Sequence, residues 1–371
     1  MQRDQSAAYP LALLYAALIA YASLFPFTGW RDQGIVPWAY LWAPLPQYWT
    51  RFDVGGNLLG YMPLGFLWTL AWLTGRPRWR AAVWASLAAA LQSLVLECLQ
   101  SYLPLRVASN LDLALNAAGG ATGALAALAL DRLGVMARWQ RFRAAWFVRE
   151  SRGALVLLML WPVGLLFPPP VAFGLGQVLE RLERVLAEWL QDTPWTGRLP
   201  LRDMDLQPLL PGAEAVCVAL GALVPCLLAY TVVQRRWPRA LMAASALLVG
   251  VLVSALSAGL SYGPLYAWSW ISRPVEWGLL SAVGAVLVLI RLPARACVGL
   301  LILALVVQLA VLNAAPQSPY FAATLQSWER GRFIHFNGLA QWVGWLWPFG
   351  ALAYLASRMG RTGYGARRQW T

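Results

Sequence analysis

The stretch 96-LECLQSYLPLRVASNLDLALNAAGG-120 lies between two long apolar runs, and its reading decides the fold. It carries Glu97, Gln100, Arg106, Asp112 and Asn116 within a chain that otherwise reads as membrane. Such groups are costly at the edge of hydrocarbon unless they are paired or hydrated. Of the 371 residues, 60% are hydrophobic and only 12% charged. Soluble globular proteins average roughly a quarter charged residues, so this balance points to a membrane protein. Repeated apolar runs of about 18 residues or more, without sustained polar alternation, favour helices over a β-barrel. The expected fold is all-α.

The formal charge is +13, and all 29 basic residues are arginine. Their placement in short loops between apolar runs argues against nucleic acid as a partner and for membrane topology. Ten spanning helices are expected near 10–25, 53–74, 80–103, 110–131, 153–172, 211–233, 240–262, 274–291, 296–313 and 337–357. Alternate loops then collect 19 of the 29 arginines on one side, against Asp4, Asp131 and Glu150. By the positive-inside rule that side is cytoplasmic, and so are both termini. Arg3, the apolar run Leu11–Ala20 and the triplet Ala20-Tyr21-Ala22 also fit a cleavable signal peptide. The preferred reading retains the first helix. Cys98, Cys217, Cys226 and Cys297 lie in apolar runs without metal-ligand spacing and read as small buried side chains.

The run 132-RLGVMARWQRFRAAWFVRESR-152 mixes arginines with Trp139, Phe142, Trp146 and Phe147. It suits either a helix on the anionic inner leaflet or an ordinary basic linker. It divides the chain into a four-helix part (1–134), a cytoplasmic linker (135–152) and a six-helix part (153–371). Within the last, 176–191 repeats apolar residues at helical spacing opposite Glu180, Arg181, Glu183, Arg184 and Glu188, which predicts an amphipathic outer helix. The remaining outer loops are rich in Trp, Tyr and Pro, which favour the headgroup level.

Two helices open with the pattern D-x-x-x-N-x-x-G: Asp53, Asn57, Gly60 and Asp112, Asn116, Gly119. Positions i, i+4 and i+7 share one helix face, so each helix presents a carboxylate, an amide and a glycine in a column. Gly56/Gly60 and Gly119/Gly123 have small-xxx-small spacing, which permits close backbone approach. The intervening helix runs the other way and brings Glu97 and Gln100 to the same outer end, with Arg106 in the turn that follows. Three readings are open. The groups form an ion-pair and hydrogen-bond network that fixes the turn and the packing. They recognise an anionic headgroup, with Arg106 as phosphate fork and Asn57, Gln100 and Asn116 as substrate-binding partners. Or they perform acid–base or divalent-metal chemistry on such a headgroup through Asp53, Glu97 and Asp112.

These residues resemble the VanZ-like membrane protein family. Its pattern is met by Asp53, Asn57, Pro63, Gly65 and Phe66, then Glu97 and Gln100, Arg106 after a short turn, and Asp112, Asn116 and Gly119. The resemblance covers about residues 10–131. It implies a cell-envelope protein of the bacterial cytoplasmic membrane, in a family named for a teicoplanin-resistance component. This chain adds six further helices, so the broader implication is the handling of envelope lipid or lipid-linked glycan. Membrane lipids, lipid-linked glycan and envelope-assembly proteins are the expected partners. A non-catalytic scaffold for envelope polysaccharide assembly and a transporter are the rival readings. The sole histidine, His335, excludes a multi-histidine metal site and reads as structural or as an outer-mouth group. No Walker, dinucleotide, G-x-S-x-G or CxxC pattern is present, and there is no nucleotide or haem signal.

Overall fold

A computed structural model describes residues 8–25, 27–46, 48–73, 75–104, 106–148, 150–191, 193, 209–315 and 334–367. Among them the chain is all-α, with helices at each of the ten expected positions and two more between them. It divides into two units, Met1–Arg143 and Ala144–Thr371. Among the described residues, five helices are long and apolar enough to cross a membrane, namely Arg78–Gln100, Asn110–Arg132, Pro211–Val232, Arg236–Tyr262 and Ala294–Asn313.

The first unit is built from α1 (Ala8–Leu24), α2 (Arg51–Trp72), α3 (Arg78–Gln100) and α4 (Asn110–Arg132). Small residues decide how they meet. A Cβ placed on Gly119, Gly123 or Gly65 would collide with the backbone of Leu58, Met62 or Gly120 respectively, so α2 and α4 touch main chain to main chain. The expectation for the other glycine pair needs correcting. Gly56 and Gly60 have open space where a side chain would stand, and Gly65 takes their place in the seam. On α3, Ala82, Ala85, Ala89, Ser93 and Leu96 are buried, whereas Val83, Leu87, Leu91 and Val95 are exposed at one-turn spacing. Small residues inward and large apolar residues outward is the pattern of a helix that faces lipid. Helix α1 is pinned by polar side chains. Tyr15 donates to the Gly60 carbonyl at 2.9 Å, and Gln92 Nε2 donates to that of Ala16 at 2.7 Å.

Helix α5 (Val135–Trp146) carries the basic and aromatic run. The second unit holds α6 (Arg152–Leu165), α7 (Leu179–Leu190), α8 (Pro211–Val232), α9 (Arg236–Tyr262), α10 (Arg273–Leu289), α11 (Ala294–Asn313) and α12 (Ile334–Arg367). Helix α8 is its core element, with thirteen buried residues, and α6, α9, α10 and α11 all pack on it. The helix expected over 153–172 stops at Leu165, ahead of Pro168, Pro169 and Pro170, which supply no N–H to continue it. A buried irregular segment follows. Its backbone is satisfied by side chains of α11: Gln308 donates to the Phe173 carbonyl at 3.0 Å and Asn313 to that of Gly176 at 3.1 Å. The Val178 N–H in turn donates to Asn313 Oδ1 at 3.0 Å. Irregular backbone is tolerated at membrane depth only where protein groups pair with it in this way.

Candidate functional site

The two D-x-x-x-N-x-x-G columns begin with the same local motif and end in different roles. Each aspartate is the third residue of its helix, preceded by a hydroxyl N-cap: Thr50 for Asp53 and Ser109 for Asp112. The N-cap oxygen accepts the aspartate N–H in both, at 3.2 Å in α2 and 3.3 Å in α4. In α2 the box closes on itself. Asp53 Oδ2 accepts the Thr50 N–H at 2.8 Å and its hydroxyl at 2.7 Å. In α4 the corresponding N–H, that of Ser109, donates instead to Glu97 Oε2 at 2.9 Å. Glu97 thus caps α4 from the end of α3, and the Asp112 carboxylate turns toward α2. There Asn57 Nδ2 donates to Asp112 Oδ1 at 2.6 Å.

One turn deeper, Asn116 Nδ2 donates to Ser93 Oγ at 2.9 Å, joining α4 to α3. Tyr61, one turn below Asn57 and 5% exposed, lies beside the same serine. Asn116 is only 5% exposed, and its Oδ1 has no hydrogen-bond partner among the described residues. Glu97 is equally buried, at 5%. Asn57, Glu97, Asp112 and Asn116 therefore form a polar layer across α2, α3 and α4, while the exposed Asp53 is held in its own helix cap.

Gln100 and Arg106 point to another partner. Gln100 Nε2 donates to the Ser23 carbonyl at 3.1 Å, and Arg106 Nη2 to those of Phe25 at 3.0 Å and Ala22 at 3.3 Å. These are open carbonyls at the C-terminus of α1, so the two side chains cap that helix. Arg106 also lies within electrostatic reach of Glu97. Burial pulls its guanidinium below the ordinary arginine value and Glu97 opposes this, but the group stays protonated at neutral pH. Over this end, the loop before α2 is anchored by Tyr40, Gln33 and Ala43. Gln33 Nε2 donates to the Ser101 carbonyl at 2.7 Å, and Asn110 Nδ2 to that of Ala43 at 2.6 Å.

Sequence reasoning missed Thr50, Tyr61, Ser93 and Ser109. The S/T-x-x-D spacing ahead of both helices marks the two caps, and Ser93 and Tyr61 lie one turn from Glu97 and Asn57 on the same faces. Among the described residues, no three His, Cys, Asp or Glu side chains converge as metal ligands. His335 is in the first turn of α12; the neighbouring Arg330 and Arg332 lie outside the described residues. Residues 7–131, which hold the whole polar layer, match the VanZ/LLP1 family. No curated protein and no solved structure matches the chain.

Proposed function

From the premise that residues 7–131 form a VanZ-like domain of a membrane protein, we propose that this domain recognises an anionic lipid or lipid-linked glycan. The site lies at the outer face of the bacterial cytoplasmic membrane. The observation that carries this reading is the pairing of a part-buried cation, Arg106, with an acceptor-rich layer at one end of the unit. Arg106 supplies charge for a phosphate, while Glu97, Asp112 and Asn116 Oδ1 suit hydroxyl donors. The carboxylates already hold protein hydrogen bonds, to the Ser109 N–H and to Asn57, which supports binding and orientation rather than proton transfer. Asp53 belongs to the helix cap in this reading and not to the binding surface.

A specific contact favours the second reading, a non-catalytic scaffold for envelope polysaccharide assembly. The bonds from Arg106 to Ala22 and Phe25 make it a clasp for α1. Native mass spectrometry of gently extracted wild type beside Arg106→Ala and Arg106→Lys, matched for folded yield, separates the two. Retention of a phosphorylated lipid by wild type and Arg106→Lys, with loss in Arg106→Ala, is the expected result. Equal lipid retention by all three folded proteins removes Arg106 as the anion-binding group and leaves the clasp.

A further inference from the structure

Helix α5 leaves α4 through a single glycine. Gly134, with φ at 70°, donates its N–H to the Asp131 carbonyl at 3.0 Å and accepts the Arg138 N–H at 3.0 Å, so α5 begins where α4 ends. Helix α4 is long and apolar enough to span, so its last turn marks the level of the membrane surface. By the positive-inside rule this surface is the cytoplasmic one. At about 1.5 Å per residue α5 is about 18 Å long, too short to cross a hydrocarbon core of about 30 Å. It runs either along the surface or away from it.

Its residues choose between these. The helix, VMARWQRFRAAW, carries three arginines and no acid. Val135, Trp139 and Phe142 share one face, flanked by Arg138 on one side and Arg143 on the other. Trp139 and Phe142 stack with centroids 5.6 Å apart, yet they remain 42% and 37% exposed. Arg138, Arg141 and Arg143 make no ion pair or side-chain hydrogen bond among the described residues. The adjacent acid, Asp131, is already matched, because Arg78 Nε donates to its Oδ2 at 2.6 Å. That bond also ties the start of α3 to the end of α4, and so brings a second basic and aromatic patch to this end of the unit. There Arg76 lies 5.2 Å from the centre of the Trp72 ring, and Arg80 5.2 Å from that of Trp79.

We propose that α5 lies in the plane of the inner leaflet and binds the phosphates of anionic phospholipids. Trp139 and Phe142 enter the boundary between headgroups and acyl chains, where aromatic rings are favoured. Arg138 and Arg143 then flank them at phosphate level, and Arg141, further round the helix, adds to the attraction of the leaflet for the whole segment. A zwitterionic leaflet offers three arginines no net charge. A water-soluble acidic protein matches the charge but not the placing of Trp139 and Phe142 at the level of the bilayer surface. This docking is separate from the outer polar layer and does not depend on what that layer binds.

The test uses the full chain with Cys98→Ala and a nitroxide on Phe142→Cys; Cys217, Cys226 and Cys297 are buried and do not label. Nanodiscs of phosphatidylcholine alone are compared with discs that also contain phosphatidylglycerol. Collisions of the label with oxygen and with a water-soluble nickel chelate report its depth. Phosphatidylglycerol is expected to raise the first and lower the second. Each arginine near an anionic surface contributes about fivefold to association. Changing Arg138, Arg141 and Arg143 together to glutamine should therefore lower the docked-to-undocked ratio on the order of a hundredfold and abolish the shift, whereas changing all three to lysine should keep it. Unfolding temperatures check the fold. If the triple glutamine chain fails to fold, Arg138→Gln/Arg141→Gln, at two exposed positions, decides, with a loss of about twentyfold. A label equally deep in both lipids overturns the proposal and leaves a soluble acidic partner for α5. A phosphatidylglycerol shift that survives in the folded glutamine chain overturns it as well.

Discussion

At the start of α4 the carboxylate that accepts the N-cap amide comes from a different helix, and Asp112 is thereby released to meet Asn57. This exchange gives two aspartates with the same local surroundings in sequence different sensitivities to substitution. Asp53→Asn touches an exposed helix cap and should cost no more than about 1 kcal/mol, with retained lipid unchanged. Asn57→Leu removes the amide from a part-buried carboxylate and should cost about 1–3 kcal/mol. Thermal unfolding in nanodiscs orders the two. A larger loss for Asp53→Asn would mean that the aspartate does more than cap α2. The double variant Asn57→Leu/Asp112→Leu should lose less than the sum of the single changes, because the partners are removed together.

Among helices, close approach and the closure of carbonyl ends decide stability. Gly123→Ala places a methyl group against the Met62 backbone in the α2–α4 seam, where no side-chain rotation relieves the clash. Overpacking there should cost about 1–3 kcal/mol or more and lower the folded yield on size-exclusion chromatography. Gly56→Ala and Gly60→Ala meet open space on a helix and should leave the yield intact, with a gain of up to about 1 kcal/mol. In the second unit a single arginine closes two helix ends. Arg239, 7% exposed, donates to the carbonyls of Tyr230 and Val233 at 2.9 and 3.0 Å, and of Ile290 and Leu292 at 3.1 and 2.6 Å. Arg239→Leu orphans four acceptors at once and should cost about 3 kcal/mol or more. Arg239→Lys should rescue little, because one ammonium lacks the planar fork that reaches all four.

For the molecule as a whole, the arginine asymmetry sets an orientation that each unit can be tested for on its own. Cysteines placed at Trp42 and Leu265, which are 85% and 96% exposed, should react with a membrane-impermeant maleimide on intact cells. One placed at Trp237, 75% exposed, should react only after permeabilisation. The background is low, because Cys217, Cys226 and Cys297 are buried; Cys98, part-buried, is replaced by alanine in the test chain. Reversal of this pattern would invert the topology, moving the polar layer to the cytoplasmic face and α5 to the outer one.

The sequence by itself determined the all-α membrane class, the helix positions and the amphipathic character of α7, because length, apolarity and periodicity are local properties of the chain. It also carried the polar column of each helix, and the spacing that marks the VanZ-like part is likewise written in consecutive residues. Which glycines touch depended on the rotation of α2 against α4, so Gly65 entered the seam and Gly56 and Gly60 did not. The division of labour between Asp53 and Asp112 depended on Glu97 arriving from α3, a contact between residues far apart in the chain. The early end of α6 was legible in its three prolines, but the pairing of the segment beyond them with Gln308 and Asn313 was not. Hydrogen bonds between distant residues follow from packing angles and depths that no local pattern encodes, and tertiary structure alone decided them.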